Sequence, residues 1–264
     1  MSKKRSLKWF LIVSVVAVIA VPLFLTGTIF NSLLGKSIKK QIISGNESLS
    51  DSFVDQIEDY LNHSLEDIET LRTMIDKQDF EMVHYSSLLE SVRKNKSHFT
   101  KIQILSRTGY TRYVSPYDET YIGIDMSKSK YFTETLKTEK PYWSPTFISP
   151  QSNQPVVSIS IPFENGVITG FLSLERLMEA ARKIGRGKSI QITITDQTST
   201  YIAHFKDEFV SEREFDPNYD MLREKYSGGI MSMILNLDGE SMFATASIIE
   251  QTNWAIVFYQ PVSK

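Results

Sequence analysis

The chain has 264 residues, with 29 Lys and Arg against 31 Asp and Glu, and it contains no cysteine. A formal net charge of -2 leaves no basic excess, so nucleic acid is not expected as a partner. The lack of cysteine excludes disulfides, thiolate metal sites and thiol nucleophiles, so packing alone must stabilise the fold.

The first predicted element is an apolar segment, residues 9–30, that carries no charge. A helix of about 20 apolar residues crosses the hydrocarbon core of a bilayer, so we predict a membrane anchor. Basic residues occur in the preceding tail, residues 1–8, and the positive-inside rule places this tail in the cytoplasm. The protein is thus expected in the inner (plasma) membrane as a single-pass chain, with everything after residue 30 outside. A cleaved signal peptide is the alternative, but its apolar core usually has only about 7 to 15 residues.

A long helix is predicted next, over residues 31–78. Its apolar side chains recur every three or four positions and so share one helical face. They are Leu49, Phe53, Ile57, Leu61, Leu65, Ile68, Leu71 and Ile75. Such a stripe is typical of a core helix and also of a stalk that pairs with a second copy in a homodimer, and the sequence leaves both interpretations open.

Residues 79–184 are predicted to form an α+β module, called here the first module. The apolar period changes to two at Ile102 and Ile104, and Gly109 marks a hairpin turn. The pattern predicts a short helix over 130–137, strands over 143–148, 156–162 and 167–174, and a helix over 174–184 that Gly185 ends.

A similar order of elements recurs in residues 185–264, the second module. Strands are predicted over 189–195, 201–205, 230–237, 241–249 and 254–259, with a helix over 218–226. The predicted fold class is therefore α+β: a transmembrane helix and a long stalk helix, followed by two tandem modules, each an antiparallel sheet with flanking helices.

Several segments are similar to one known family. In the first module they are residues 125–132, 140–145, 154–162 and 166–172, and in the second module 192–196, 201–204 and 252–257. Over about residues 35–262 the chain resembles a double Cache (dCache) sensor domain. Such domains are the extracytoplasmic ligand-binding regions of bacterial and archaeal chemoreceptors, histidine kinases and diguanylate cyclases. The resemblance implies two PAS-like (Cache) modules in a receptor for signal transduction.

The resemblance also implies that the ligand binds in the first, membrane-distal module, between its sheet and the short helix. Amino-acid-binding members use an Arg, a Trp, two Tyr and an Asp. The corresponding positions here are Ser129, Tyr131, Phe132, Phe147 and, near the Asp, Glu175. Ser129 lacks the guanidinium fork that fits a carboxylate, whereas Glu175 can accept a hydrogen bond from an amine. With further aromatic faces at Tyr121, Tyr142 and Trp143, the expected ligand is an amine, an amino-acid-like compound or another small metabolite.

Some of these residues also have a purely structural interpretation. Trp143 and Phe147 alternate along one predicted strand, where aromatic side chains commonly belong to the core. Glu175 stands at a helix N-terminus, where an acidic side chain is favourable whatever the function.

An enzyme is not expected. The sequence has no Gly-rich phosphate loop, no Gly-x-Ser-x-Gly, no His-Glu-x-x-His and no spacing of metal ligands, and no cofactor is predicted. Any catalytic output would lie beyond Lys264. Two functions stay open: a small-molecule sensor that signals through helix shifts, or a ligand-independent, membrane-tethered module that docks a periplasmic binding protein or a partner receptor. A pocket with several polar groups favours the sensor, and a broad exposed apolar patch favours the docking module.

Overall fold

The structure is a computed structural model that describes residues 3–77, 82–185, 190–237 and 239–262. The structure describes only the backbone for many helical residues between 3 and 42 and for residues 77 and 82–84. Two compact units are distinguished, Met1–Ser48 and Leu49–Lys264.

The first unit is helical, because helix α1 (Lys3–Lys77) begins in it. The predicted anchor, residues 9–30, has helical conformation and includes Pro22. Among the described residues, no helix has the length and mean hydropathy that crossing a membrane requires. The anchor therefore stays a prediction of the sequence.

In the second unit, the apolar stripe of α1 is covered by the protein itself. Six of its predicted members are buried in the main core cluster, while Leu49 and Leu65 pack against that cluster partly exposed. The six are Phe53, Ile57, Leu61, Ile68, Leu71 and Ile75. The same cluster contains Ile102 of the first module and Phe258 of the second. This stretch is thus a core helix of the second unit, and a stalk is not confirmed.

The remaining elements follow α1 in two groups. In the first module these are α2 (Met82–Asn95), β1 (Phe99–Ser106), β2 (Thr111–Ser115), a 3-10 turn (Glu119–Tyr121), α3 (Lys130–Thr138), β3 (Tyr142–Trp143), β4 (Phe147–Ile148), β5 (Pro155–Phe163), β6 (Gly166–Ser173) and α4 (Glu175–Gly185). In the second module they are β7 (Gln191–Thr195), β8 (Tyr201–Ala203), α5 (Asp207–Ser211), α6 (Tyr219–Lys225), β9 (Met231–Leu237), β10 (Glu240–Ile249) and β11 (Trp254–Pro261).

Each module contains one antiparallel sheet, and the two sheets have the same strand order. It is β2-β1-β6-β5-β3 in the first module, where β4 also pairs with β5, and β8-β7-β11-β10-β9 in the second. The first hairpin of each sheet has its register shift at the same place, after Ile104 in β1 and after Ile194 in β7. The two modules therefore share both their strand order and the place of this register shift.

The structure differs from the predicted elements in both modules. The strand predicted over 143–148 consists of the two short strands β3 and β4, which Pro145 separates. Proline has no backbone N–H for a ladder hydrogen bond, so it interrupts the pairing. Helix α2 and the short helix α5 are additional to the predicted elements.

The two faces of each sheet have different neighbours. On one face, Ile104 and Ile194 belong to the core cluster that contains α1. On the other face, Leu105 clusters with Phe132 of α3, and Tyr259 clusters with Leu222 of α6. We call these opposite faces the α3 face of the first module and the α6 face of the second.

Candidate functional site

The α3 face of the first sheet carries two rows of cross-strand neighbours. The β1–β6–β5 register places Lys101, Phe171 and Ser158 in one row and Gln103, Thr169 and Ser160 in the next. Residues directly opposite on paired strands point to the same face. All six are buried, which is unusual for a set that contains five polar side chains.

Lys101 is the charged group of this face. It is only 4% exposed, and its Nζ atom lies 4.0 Å from the centroid of the Phe171 ring and 4.8 Å from that of Tyr121. Burial lowers the pKa of Lys101 to about 8, and no carboxylate among the described residues opposes that shift. Among the described residues, the contacts of the ammonium group are therefore with aromatic faces.

Two neutral groups of the same face also lack a partner. Gln103 donates from Nε2 to the Tyr131 hydroxyl at 3.3 Å, but its Oε1 atom is buried without a hydrogen bond from any described residue. Ser158 Oγ is in the same situation. By contrast, the hydroxyls of Ser160 and Thr169 bond to each other at 2.9 Å. Since buried polar groups are nearly always paired, Gln103 Oε1 and Ser158 Oγ are candidate contacts for a bound molecule.

Aromatic rings close the site from the side of α3. The ring centroids of Tyr131, Phe147 and Phe171 lie between 5.8 and 6.2 Å from one another. Burial raises the pKa of Tyr131, while hydrogen bonding with Gln103 and Ser129 opposes the shift. Tyr131 is therefore a neutral phenol, and the site combines one cation, neutral hydrogen-bonding groups and three rings.

The second module has a different set of side chains at the equivalent positions. With the register shifts superimposed, Lys101 and Gln103 correspond to Gln191 and Thr193. The rest of the α6 face is mostly apolar, with Ala244 at the position of Ser158, Ala246 at that of Ser160, Val257 at that of Thr169 and Tyr259 at that of Phe171. Leu222 of α6 packs there in a core cluster.

The structure brings most of the predicted site residues to the α3 face. Tyr131, Phe147 and Tyr121 contact Phe171 or Lys101 as described above. Tyr142, on the edge strand β3, is the cross-strand partner of Ser160 on β5. Phe132 lies next to them and packs with Leu105 and Val167. Ser129 precedes α3, where its hydroxyl donates to the Met126 carbonyl at 2.6 Å.

Two of the predicted residues are placed elsewhere. Trp143 pairs with Ile159, so it points to the opposite face of the sheet and belongs to the main core cluster. Glu175 is exposed at the start of α4 and lines a separate cavity of about 740 Å³ with Arg182 and Asp207. The prediction of Glu175 as an amine acceptor for this site is therefore not supported by its position.

Lys101, Gln103 and Ser158 were not among the predicted site residues. On one strand, Lys101 and Gln103 alternate with Ile102 and Ile104, a pattern that normally indicates a solvent-facing side. The signal that could have revealed them is the tandem repeat, because the equivalent positions of the second module are less polar.

Another cavity, of about 630 Å³, lies beside the first hairpin and is lined by Tyr85, Tyr113 and Arg112 among others. In the described parts of the chain, no group of three or more His, Asp or Glu side chains is arranged to hold a metal ion.

Comparison with known proteins decides the family. The sequence model of the Cache domain, of the dCache type, matches residues 35–264. The chain belongs to the dCache family. Solved chemoreceptor structures share this dCache fold at low sequence identity, and a sequence search of curated proteins gives no match.

Three of these structures illustrate the likeness. The sensory domain of Campylobacter jejuni chemoreceptor Tlp3 (CcmL) has a TM-score of 0.69 at 13% identity, covering 87% of this chain and 98% of its own. The ligand-binding domain of Pseudomonas fluorescens chemoreceptor CtaA, in complex with L-isoleucine, has 0.67 at 16%, covering 86% and 94%. The ligand-binding domain of Pseudomonas aeruginosa PAO1 amino acid chemoreceptor PctC, in complex with GABA, has a TM-score of 0.65 at 14% identity, covering 83% of this chain and 98% of its own. At such identities the likeness establishes the fold of this dCache domain.

Proposed function

We propose that this dCache domain is the extracytoplasmic sensor of a membrane-bound signalling receptor, and that its small-molecule ligand binds on the α3 face of the first module. The family and the chemoreceptor neighbours support the sensor function. Any kinase, cyclase or other output activity is expected in a different part of the receptor.

The contrast between the two modules is the observation that supports this location of the binding site. The first buries Lys101, Gln103 Oε1 and Ser158 Oγ without an ionic or hydrogen-bond partner among the described residues. A buried, unpartnered polar atom costs about 1 to 3 kcal/mol, so Gln103 Oε1 and Ser158 Oγ each lower the stability of the free protein, and the buried charge of Lys101 adds to this cost. A ligand that pairs with them recovers this energy. The second module also has buried polar atoms without a partner among the described residues, Thr193 Oγ1, Thr195 Oγ1 and Asp216 Oδ2, but it has no described buried Lys or Arg that corresponds to Lys101.

A route for the signal runs through β6. Thr169 and Phe171 face the ligand side, and between them Gly170 faces α1. A Cβ atom at Gly170 would lie 2.9 Å from Cδ1 of Ile68 and 2.5 Å from Cε1 of Phe99, so α1 packs directly on this strand. We propose that ligand binding shifts β6 and α3, and that α1 responds with a displacement of about 1 to 2 Å, the size common for helices in signalling proteins.

Membrane anchoring through residues 9–30 and homodimer formation are parts of the same proposal. The α1 stripe in the second unit is already covered, so contacts between two copies are expected before residue 49. Single cysteines at the exposed Ser44 and Ser48 should crosslink the protein in membranes, whereas Ser50→Cys, at a buried position, should not. Absence of crosslinks at both exposed positions would contradict the dimer.

The experiment for the binding site is a thermal-shift screen of the chain against amino acids, amines, organic acids and purines. A ligand at a hundred times its dissociation constant adds about 2.7 kcal/mol to stability, which is readily detected. The affinity for the best compound should fall about fivefold or more in Tyr131→Leu, because a buried aromatic contact is worth about 1 kcal/mol or more. The control Trp143→Phe should change stability without changing affinity, since Trp143 lies on the opposite face. Equal affinity in wild type and Tyr131→Leu would contradict the site.

A further inference from the structure

We propose that the α3 face of the first module binds a small carboxylate whose other polar groups are neutral, so that it selects a hydroxy acid over the corresponding amino acid. The inference rests on the site given above and assigns its ligand class.

The α3 face contains a buried positive charge. Lys101 is buried between the rings of Phe171 and Tyr121, and no carboxylate of the described chain neutralises it. A buried charge without a counterion is costly, and a ligand carboxylate would supply that counterion. A ligand ammonium on the same face would instead meet a like charge.

Glu134 and Glu175 lie at the surface or in a different cavity. The acid that acts on a residue of this face is Glu134 of α3, which raises the pKa of Tyr142 as a secondary contribution after burial. The side chain of Glu134 is 38% exposed, and its Oε2 atom lies 3.9 Å from Nζ of Lys137, so Glu134 already has an ionic partner at the surface. Glu175 lines a different cavity. An ammonium group buried here would therefore find no carboxylate among the described residues.

The unpartnered hydrogen-bonding groups of this face are neutral. Gln103 Oε1 can accept a hydrogen bond from a hydroxyl, and Ser158 Oγ can donate or accept one. The rings of Tyr131, Phe147 and Phe171 offer apolar contact for the carbon skeleton. A carboxylate, a hydroxyl and an alkyl or aryl group together match the three kinds of side chain on this face.

Calorimetry with matched pairs tests the inference on the complete chain. The pairs are lactate with alanine, 2-hydroxy-4-methylpentanoate with leucine, and 3-phenyllactate with phenylalanine, which differ only in hydroxyl against ammonium. At pH 7 at least one hydroxy acid should bind, and at least tenfold more tightly than its amino acid. Its affinity should fall at least tenfold in Lys101→Met, which removes the charge, and should be largely kept in Lys101→Arg.

The outcomes separate the ligand class from the site. If an amino acid binds as tightly as its hydroxy acid, or no hydroxy acid binds, the ligand class is wrong. If an amino acid binds and its affinity falls in Tyr131→Leu, the proposed site is still supported. If a hydroxy acid binds with equal affinity to wild type, Lys101→Met and Tyr131→Leu, both the proposed site and the inference fail.

Discussion

Lys101 holds its Nζ atom 4.0 Å from the centroid of the Phe171 ring, which belongs to the residue opposite it on strand β6. This contact places a cation inside the first module, next to groups that lack hydrogen-bond partners. Burial opposes the charged form of a lysine, and cation–π contact offsets only part of that cost. The free protein is therefore expected to be less stable than it would be with an uncharged side chain at position 101.

Stability should depend on pH through Lys101. The pKa of Lys101 falls from 10.5 to about 8 on folding. Below pH 8 Lys101 is protonated in both the folded and the unfolded protein, so folding carries the full free-energy cost of burying the ammonium group. Between pH 8 and 10.5 the unfolded state binds more protons, so the free energy of unfolding rises with pH. The shift corresponds to about 3 kcal/mol.

Lys101→Met should remove this dependence. In urea unfolding, the variant should be more stable than wild type at pH 7, and the difference should shrink by pH 9.5. Lys140→Met, at an exposed position, is the control, and its difference from wild type should stay constant with pH. A difference for Lys101→Met that does not change between pH 7 and 9.5 would show that the pKa of Lys101 is not lowered on folding.

Ligand affinity should depend on pH in the opposite direction. A carboxylate pairs with the ammonium form of Lys101, which is the major form below about pH 8. Affinity should be constant from pH 6 to 7 and fall by up to about tenfold per pH unit well above pH 8. Lys101→Arg keeps its charge and should bind independently of pH up to about pH 10. Calorimetric titration of the same carboxylate across this range is the measurement, and an identical decline in both proteins would contradict the role of Lys101.

The two serines of β5 should respond oppositely to loss of their hydroxyls. Ser158 Oγ is unpartnered, so Ser158→Ala should stabilise the free protein by about 1 kcal/mol and weaken ligand binding. Ser160 bonds to Thr169, so Ser160→Ala should destabilise the fold by about 1 kcal/mol. Thermal unfolding with and without ligand measures both effects. Destabilisation by Ser158→Ala would indicate that this hydroxyl is already paired in the free protein.

Much of the fold was predictable because its patterns are local. Alternation of apolar residues through Ile102 and Ile104, and again through Ile192 and Ile194, gives the first strand of each module, and the recurrence gives the tandem repeat. The interruption at Pro145 was not predicted, and it divides one predicted strand into the two short strands β3 and β4. The burial of the α1 stripe depends on contacts far away in sequence, such as Phe53 against Phe258 at 5.9 Å, and no local pattern reveals them.

The site was predictable only in part. The aromatic residues Tyr131 and Phe147 follow from the family resemblance, and the structure brings them together. Trp143 and Tyr142 are neighbours in sequence, but strand pairing sends them to opposite faces, which residue type alone does not tell. Lys101 has the sequence pattern of a solvent-exposed strand lysine. Only the position of α3 over the sheet shows that it is buried.

The most direct test of the account is hydrogen–deuterium exchange with a saturating concentration of the best-binding compound from the screen. Helix α3 (Lys130–Thr138) and helix α6 (Tyr219–Lys225) occupy equivalent places over the two sheets, so each is a control for the other. The account predicts slower amide exchange in α3 and in β1, with α6 unchanged. Protection confined to α6 and its sheet would contradict it and would place the ligand in the second module.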